Sequence, residues 1–247
     1  MNPYFTKALV ENVEVFSPEY PSLLLLTIRL VNPEVKPFRP GQFCVFRIEE
    51  GIFRSYSIAS DYKNFSEYKF IISIAHEGIG ANYFKKVKVG DELDFLGPSG
   101  HFKIELPVAP NIIFCATGTG IAPFIPMIEF LIDNNCDSKI ELLHGIKNEK
   151  NLKFYTKIHN EFKSKCENFT HKVYVSQPEN SEGLNVGRIT DEIKKLDLSK
   201  LKNTQFYLCG HPDMVLEVTN YLSDNGIKEE NIISEVFTSP GFYQREK

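Results

Sequence analysis

Three short stretches of the chain bring together residue types that can do chemistry. The first is Cys115-Ala-Thr-Gly-Thr-Gly-Ile-Ala-Pro123, where Thr117, Gly118, Thr119 and Gly120 join an apolar run, Ile112 to Ala116, to residues at helical spacing. Glycines at such a turn allow close backbone approach, and a helix start offers unpaired N–H groups and a positive dipole end to a pyrophosphate. Pro123 stands where G-x-G-x-x-G would have its third glycine. The second stretch is Tyr207-Leu-Cys-Gly-His-Pro-Asp-Met214, which puts Cys209 and Gly210 at the end of an apolar run just before a helix. Open α/β sheets bind ligands at that edge of their strands, although a strand cysteine taken alone is more often inert. The third is Arg54-Ser-Tyr-Ser57. Alternation sets Arg54 and Tyr56 on one face and Ser55 and Ser57 on the other, as suits a strand lining an extended ligand. Without a ligand, Tyr56 would be a core aromatic and Arg54 half of a surface ion pair.

The elements that position these residues change character along the chain. Up to about residue 106, runs with period-2 alternation (Ala8 to Phe16, Leu23 to Leu30, Phe43 to Ile48, Ser55 to Ala59, Tyr68 to Ile74, Glu92 to Leu96) are separated by turn residues. One short helix, Ala81 to Lys86, interrupts them, which predicts an antiparallel barrel or sandwich. Beyond Pro107, strands at Ile112 to Ala116, Ile140 to Ile146, Lys172 to Ser176, Phe206 to Cys209 and Ile232 to Phe237 alternate with helical spacing. That alternation predicts an α/β doubly wound parallel sheet. The expected division is therefore two domains, 1–106 and 107–247, with Leu106 to Pro110 as a proline-stiffened linker.

Bulk composition excludes several functions. A net charge of -4 argues against nucleic acid as a partner, because phosphate neutralisation needs a clustered excess of Lys and Arg. The five cysteines have no paired spacing, so neither a zinc site nor a disulfide framework is expected, and no metal-binding residue is assigned. No C-x4-C-x2-C run is present, so an iron–sulfur centre is expected only in a partner. Reduced thiols and the absence of a basic-then-apolar start predict a cytoplasmic protein. From Leu106 to Ile128 no residue is charged, but Pro107, Pro110, Pro123 and Pro126 with Gly118 and Gly120 would break a membrane helix, and no stable membrane insertion is expected.

G-T-G-I-A-P at 118–123 resembles the nucleotide loop of the ferredoxin-NADP reductase family, and ordered matches cover nearly the whole chain. They include Arg54 to Ser57, Gly78-Ile-Gly-Ala81 with Asn82 to Phe84, Gly97-Pro-Ser-Gly100 with Phe102, Gly145, Gly187-Arg188, Cys209 to Met214 and Glu235 to Phe237. The resemblance implies an antiparallel β-barrel FAD-binding domain followed by an NAD(P)-binding α/β domain. It implies that Arg54 binds the flavin pyrophosphate, Tyr56 packs on the isoalloxazine, and Ser57 bonds near flavin N5. The Gly78, Gly80, Ala81, Asn82 turn would hold flavin phosphate, but Ala81 replaces the family's serine, leaving the backbone N–H groups of Ala81 and Asn82 to serve. Cys209 and Gly210 would adjoin the nicotinamide, with Glu235 assisting proton movement; Met214 matches the same motif and also suits helix packing. Phe237, Phe242 or Tyr243 would cover the flavin.

For the adenosine end, NADPH-preferring relatives place Arg after a Ser, and here the pair reads Ser176-Gln177. Lys147 or Arg188 is left to compensate, and NADH is the expected donor. The implied activity is FAD-dependent NAD(P)H oxidation, with ferredoxin or flavodoxin as the first expected acceptor. The reductase component of an oxygenase is the close alternative, since the string R-S-Y-S-I-A-S resembles that group. A non-catalytic nucleotide-binding subunit is the rival reading. A monomer is the expected state.

Overall fold

The computed structural model describes residues 5–16, 22–31, 37–75 and 77–237. It falls into two compact units. The first runs to Glu105 and takes in Ala122–Cys136 and Lys153–Lys157; the second holds Leu106–Ile121, Asp137–Leu152 and the chain from Ile158 onward.

In the first unit, strands β1 (Thr6–Phe16), β2 (Leu23–Leu30), β3 (Phe43–Glu49), β4 (Ile52–Ser57), β5 (Glu67–Ser73) and β6 (Glu92–Ser99) form an antiparallel sheet of order β4-β3-β6-β1-β2-β5. Alternation explains the inward face: Cys44, Phe46 and Ile48 of β3 are buried, while Val45 is half-buried and Arg47 and Glu49 are exposed. The two edge strands are drawn together where the chain leaves β4, because Ala59 N–H donates to the Lys69 carbonyl of β5 at 2.8 Å. That bond draws the two ends of the sheet towards each other, the curling that the expected barrel requires, with β4 and β5 as its end strands. Its centre is aromatic, with the Phe46 ring edge-on to Phe70 at 5.0 Å and to Phe84 at 5.6 Å. Phe84 ends a short helix, α1 (Ile79–Phe84).

Helix α2 (Phe124–Asp133) groups with this unit. Phe124 packs on Phe102 at 5.9 Å, Phe130 on Tyr62 at 5.7 Å, and Asp133 pairs with Lys63 at 2.6 Å.

The second unit carries a parallel sheet of β7 (Asn111–Thr117), β8 (Lys139–Ile146), β9 (Phe169–Val175), β10 (Asn185–Val186), β11 (Thr204–Gly210) and β12 (Ile232–Val236). Its order is β10-β9-β8-β7-β11-β12, so the winding reverses at β7. Helices α3 (Leu152–Lys165), α4 (Ile189–Ile193) and α5 (Pro212–Asp224) follow β8, β10 and β11 in the chain. Met214, Val215, Val218 and Leu222 of α5 and Ile189 and Ile193 of α4 join Ile113, Cys115, Leu143, Phe206 and Leu208 of the sheet in one apolar cluster. The helical stripe read from the sequence for α5 is thus the face turned to the strands.

Boundaries differ from expectation at several elements, the short helix among them at Ile79–Phe84 and not Ala81 to Lys86, and two of the differences have local reasons. The strand carrying Arg54 starts at Ile52, because a tight β3–β4 hairpin pairs Glu49 directly with Ile52. The turn after β7 is a 3-10 segment, Gly118–Ile121, and α2 begins only at Phe124 after Pro123. Among the described residues no helix is long and apolar enough to cross a membrane.

Candidate functional site

The barrel residues singled out in the sequence meet around α1. Arg54 and Tyr56 are half-buried and share a face of β4, Ser55 is exposed, and Ser57 at the strand end is buried. The Tyr56 ring stands edge-on to Phe84 at 5.1 Å and Phe46 at 6.0 Å. Burial pushes its hydroxyl up to about 12, partly offset by the Arg54 guanidinium. A Cβ on Gly80 would lie 2.6 Å from the Tyr56 hydroxyl and 3.4 Å from Arg54 Cγ. Glycine at 80 is what allows this helix to lie against both side chains. Arg54 Nη1 donates to the Phe53 carbonyl at 2.7 Å, which anchors one arm of the guanidinium.

Gly78 precedes α1 without a side-chain cap, and a Cβ there would meet open space. One expectation needs correction: the Asn82 N–H donates to the Gly78 carbonyl at 2.8 Å, as the first intrahelical bond requires. It is therefore not a spare donor for phosphate, and only residues earlier in the turn can play that part. With Ser57 and Gly80 buried, the half-buried Arg54, Tyr56 and Ala81 and the exposed Gly78 and Ile79 are the solvent-facing set.

In the parallel sheet, the loop after β7 and the end of β11 interlock. A Cβ on Gly120 would overlap the Cys209 carbonyl oxygen and stand 2.8 Å from Gly210 Cα. Gly210, at φ 134°, sits where any Cβ would overlap the Thr117 hydroxyl. Thr117 Oγ1 in turn accepts the His211 N–H at 2.7 Å. The hydroxyl of Thr117 thus ties two loops together in addition to any contact it makes with a ligand. Gly118, at φ 52°, faces open space, which fits a loop built for a bound group. All this lies beside β7, where the winding reverses and open α/β sheets form their ligand crevice.

Cys209 is fully buried and paired in register with Glu235 of β12. Burial, reinforced by the Glu235 charge, holds its thiol well above the ordinary range, so it is a neutral thiol and not a thiolate nucleophile. The Phe237 N–H donates to the Gly210 carbonyl at 3.1 Å, which places Phe237 next to this cluster. Phe242 and Tyr243 lie outside the described residues. Met214 is 5% exposed and sits in the apolar cluster under α5, so its observed contacts are those of packing.

The adenosine-end residues also gather. Gln177 N–H donates to the Lys147 carbonyl at 2.7 Å, Ser176 N–H to Ile146 at 3.0 Å, and Gly187 N–H to Val175 at 3.0 Å, bringing Arg188 to the same sheet edge. The loop beyond is held by Glu149, which accepts the N–H groups of Glu179 and Asn180 at 3.1 and 2.9 Å. The sequence reading missed Glu149, and it missed His144, whose Nε2 lies 2.9 Å from the Gly118 carbonyl oxygen. A histidine inside the apolar run Ile140 to Ile146 was the available signal, because parallel strands are buried on both faces.

Family models agree with this division of labour. Residues 22–104 match the oxidoreductase FAD-binding domain and residues 114–220 the oxidoreductase NAD-binding domain. The chain belongs to the ferredoxin-NADP reductase-like flavoproteins. Its barrel is an FAD-binding domain and its parallel sheet an NAD(P)-binding domain. This flavoprotein is 28% identical over 235 residues to the toluate 1,2-dioxygenase electron transfer component of Pseudomonas putida, covering 94% of the chain and 68% of the relative. It is 27% identical over 202 residues to the anthranilate 1,2-dioxygenase electron transfer component of Acinetobacter baylyi, covering 81% of the chain but only 58% of the relative. The chain therefore spans only part of these relatives' length. Among solved structures, a ferredoxin NADP+ reductase from Neisseria gonorrhoeae with bound FAD and NADP shares the fold, with a TM-score of 0.79 and 23% identity over 95% of this chain and 99% of that one.

Proposed function

We infer that this flavoprotein oxidises NAD(P)H and passes the electrons to a separate redox protein of an oxygenase system. The observation that carries the reading is the Gly120–Gly210 interlock, a glycine-lined turn at the winding reversal of an NAD(P)-binding sheet, in a chain that also carries an FAD-binding barrel. Bound FAD would supply the chemistry of accepting a hydride equivalent from nicotinamide and releasing electrons singly or in pairs.

The chain's own residues bind and orient. Arg54 and the Gly78–Ala81 turn hold the flavin pyrophosphate, Tyr56 packs on the isoalloxazine ring, and Ser57 serves the N5 region. Thr117 to Gly120 hold the dinucleotide pyrophosphate, and Cys209 with Gly210 flanks the nicotinamide. The Cys209 thiol, kept neutral by burial, adds bulk and a weak donor beside the nicotinamide. Glu235, opposite Cys209 in register, assists proton movement, and Phe237 covers the flavin. Residues 1–106 and 107–247 are the corresponding functional divisions.

Ferredoxin or flavodoxin stood first among the acceptors expected from the sequence. The names of the dioxygenase electron transfer components favour the alternative, an oxygenase-system reductase. NADH is the preferred donor, because Gln177 brings no positive charge to a 2'-phosphate. The protein acts as a monomer in the cytoplasm. The deciding experiment is anaerobic titration of the purified, FAD-loaded chain with NADH and, side by side, NADPH. Bleaching of the yellow flavin, faster with NADH, is expected; a colourless protein that refuses added FAD would establish the non-catalytic reading instead.

A further inference from the structure

Behind the Thr117–Gly120 loop stands a file of histidines that the reading above leaves unused. His144 on β8 and His159 on α3 are fully buried, and His171 on β9 lies against His159 with ring centroids 4.8 Å apart. His144 Nε2 is 2.9 Å from the Gly118 carbonyl oxygen, and His144 Nδ1 is 3.3 Å from His159 Nε2. A carbonyl oxygen can only accept, so the His144 proton sits on Nε2. Its Nδ1 is then a lone pair, and His159 must donate to it from Nε2. One pair of tautomers satisfies both contacts.

His159 Nδ1 is left with no hydrogen-bond partner among the described residues. An apolar side chain at 159 would avoid that desolvation penalty, so the pair costs stability that simple packing does not require. The return is control over one peptide. The Gly118–Thr119 peptide is planar and trans, so its carbonyl and its N–H point in opposite directions. With the carbonyl turned to the buried ring, the Thr119 N–H is turned away from it, to the outer side of the loop. Burial pushes His144 down to about 4 and His159 to about 2, so both rings are neutral at physiological pH and the arrangement persists.

We propose that His144, held in its Nε2–H tautomer by His159, is a positioning residue that aims the Thr119 N–H at the dinucleotide pyrophosphate. This rests on the nucleotide-binding reading of the loop and adds the device that orients it. His144 touches no ligand; it acts through the Gly118 carbonyl.

The test uses the full chain loaded with FAD, with ADP-ribose as probe because it carries the pyrophosphate without the reacting ring. His144→Leu is expected to weaken ADP-ribose about tenfold and to raise the KM for NADH by a larger factor than it lowers kcat. His144→Gln, whose side-chain amide can donate from nearly the same place, is expected to restore most of the affinity. Nitrogen-15 NMR of the unmodified protein is expected to show both rings neutral and protonated on Nε2. An Nδ1–H tautomer at His144, or wild-type affinity in His144→Leu, overturns the proposal and leaves the nucleotide reading standing. Wild-type protein that does not bind ADP-ribose removes both. Should the leucine variant fail to fold, the ring spectrum decides.

Discussion

Gly120 approaches Cys209 so closely that a Cβ built on Gly120 would overlap the Cys209 carbonyl oxygen and lie 2.7 Å from its carbonyl carbon. Cys209 cannot retreat, because β11 is paired on both sides, by β7 and β12. Gly120→Ala is therefore expected to destabilise the protein by about 1–3 kcal/mol through overpacking and to raise the KM for NADH. Urea unfolding with steady-state kinetics measures both, and a variant as stable as wild type would disprove the close approach.

Gly80 plays the same part in the barrel. In Gly80→Ala the new methyl would stand 2.6 Å from the Tyr56 hydroxyl, so Tyr56 must shift and FAD retention should fall. Adding Tyr56→Phe removes the offending oxygen and should recover about 1 kcal/mol of stability as a coupling between neighbours. Arg54→Ala should lower flavin content without that recovery. The ratio of flavin to protein absorbance after gel filtration checks all three, and unchanged flavin content in Arg54→Ala would reject its pyrophosphate role.

Cys209→Ala is expected to slow flavin reduction more than it weakens nucleotide binding. Stopped-flow reduction gives the limiting rate and the apparent Kd together. Because burial keeps the thiol protonated, native protein at pH 8 should resist alkylation at Cys209 and react there only on unfolding. Rapid modification of the folded state would contradict the burial.

Acid should weaken the fold before the carboxylates titrate. His144 and His159 are depressed from 6.5 to about 4 and about 2, so between pH 6.5 and 5 the unfolded chain takes up protons that the folded chain refuses. Stability is full above the unfolded value and is lost as pH falls towards the folded ones. From pH 7 to 5.5 the pair should cost about 2 kcal/mol, read from urea midpoints at the two pH values. A flat profile over that window would show that the rings protonate in the folded state.

Donor choice should respond to position 177. Gln177→Arg places a guanidinium after Ser176 and should improve kcat/KM for NADPH relative to NADH by about tenfold. Glu149 stands against this change: its own amide and that of Asn180 hold its carboxyl below the ordinary range, so it stays ionised beside the same loop. No change in the NADPH-to-NADH ratio would place the 2'-phosphate elsewhere.

The residue pattern by itself determined the barrel-then-sheet order and the position of each glycine turn. Period-2 runs such as Phe43 to Ile48 and helical stripes such as Met214 to Leu222 follow from which faces must leave water, and that is a local property. Tertiary structure alone decided what lies opposite what. The Gly80 contact with Tyr56, the Gly120 contact with Cys209 and the His144–His159 pair join residues 24, 89 and 15 positions apart in the sequence. Such pairings are set by strand register and crossover geometry, and no local spacing encodes them. For the same reason the Asn82 amide, free in a sequence motif, is spent once α1 forms and its backbone closes on Gly78.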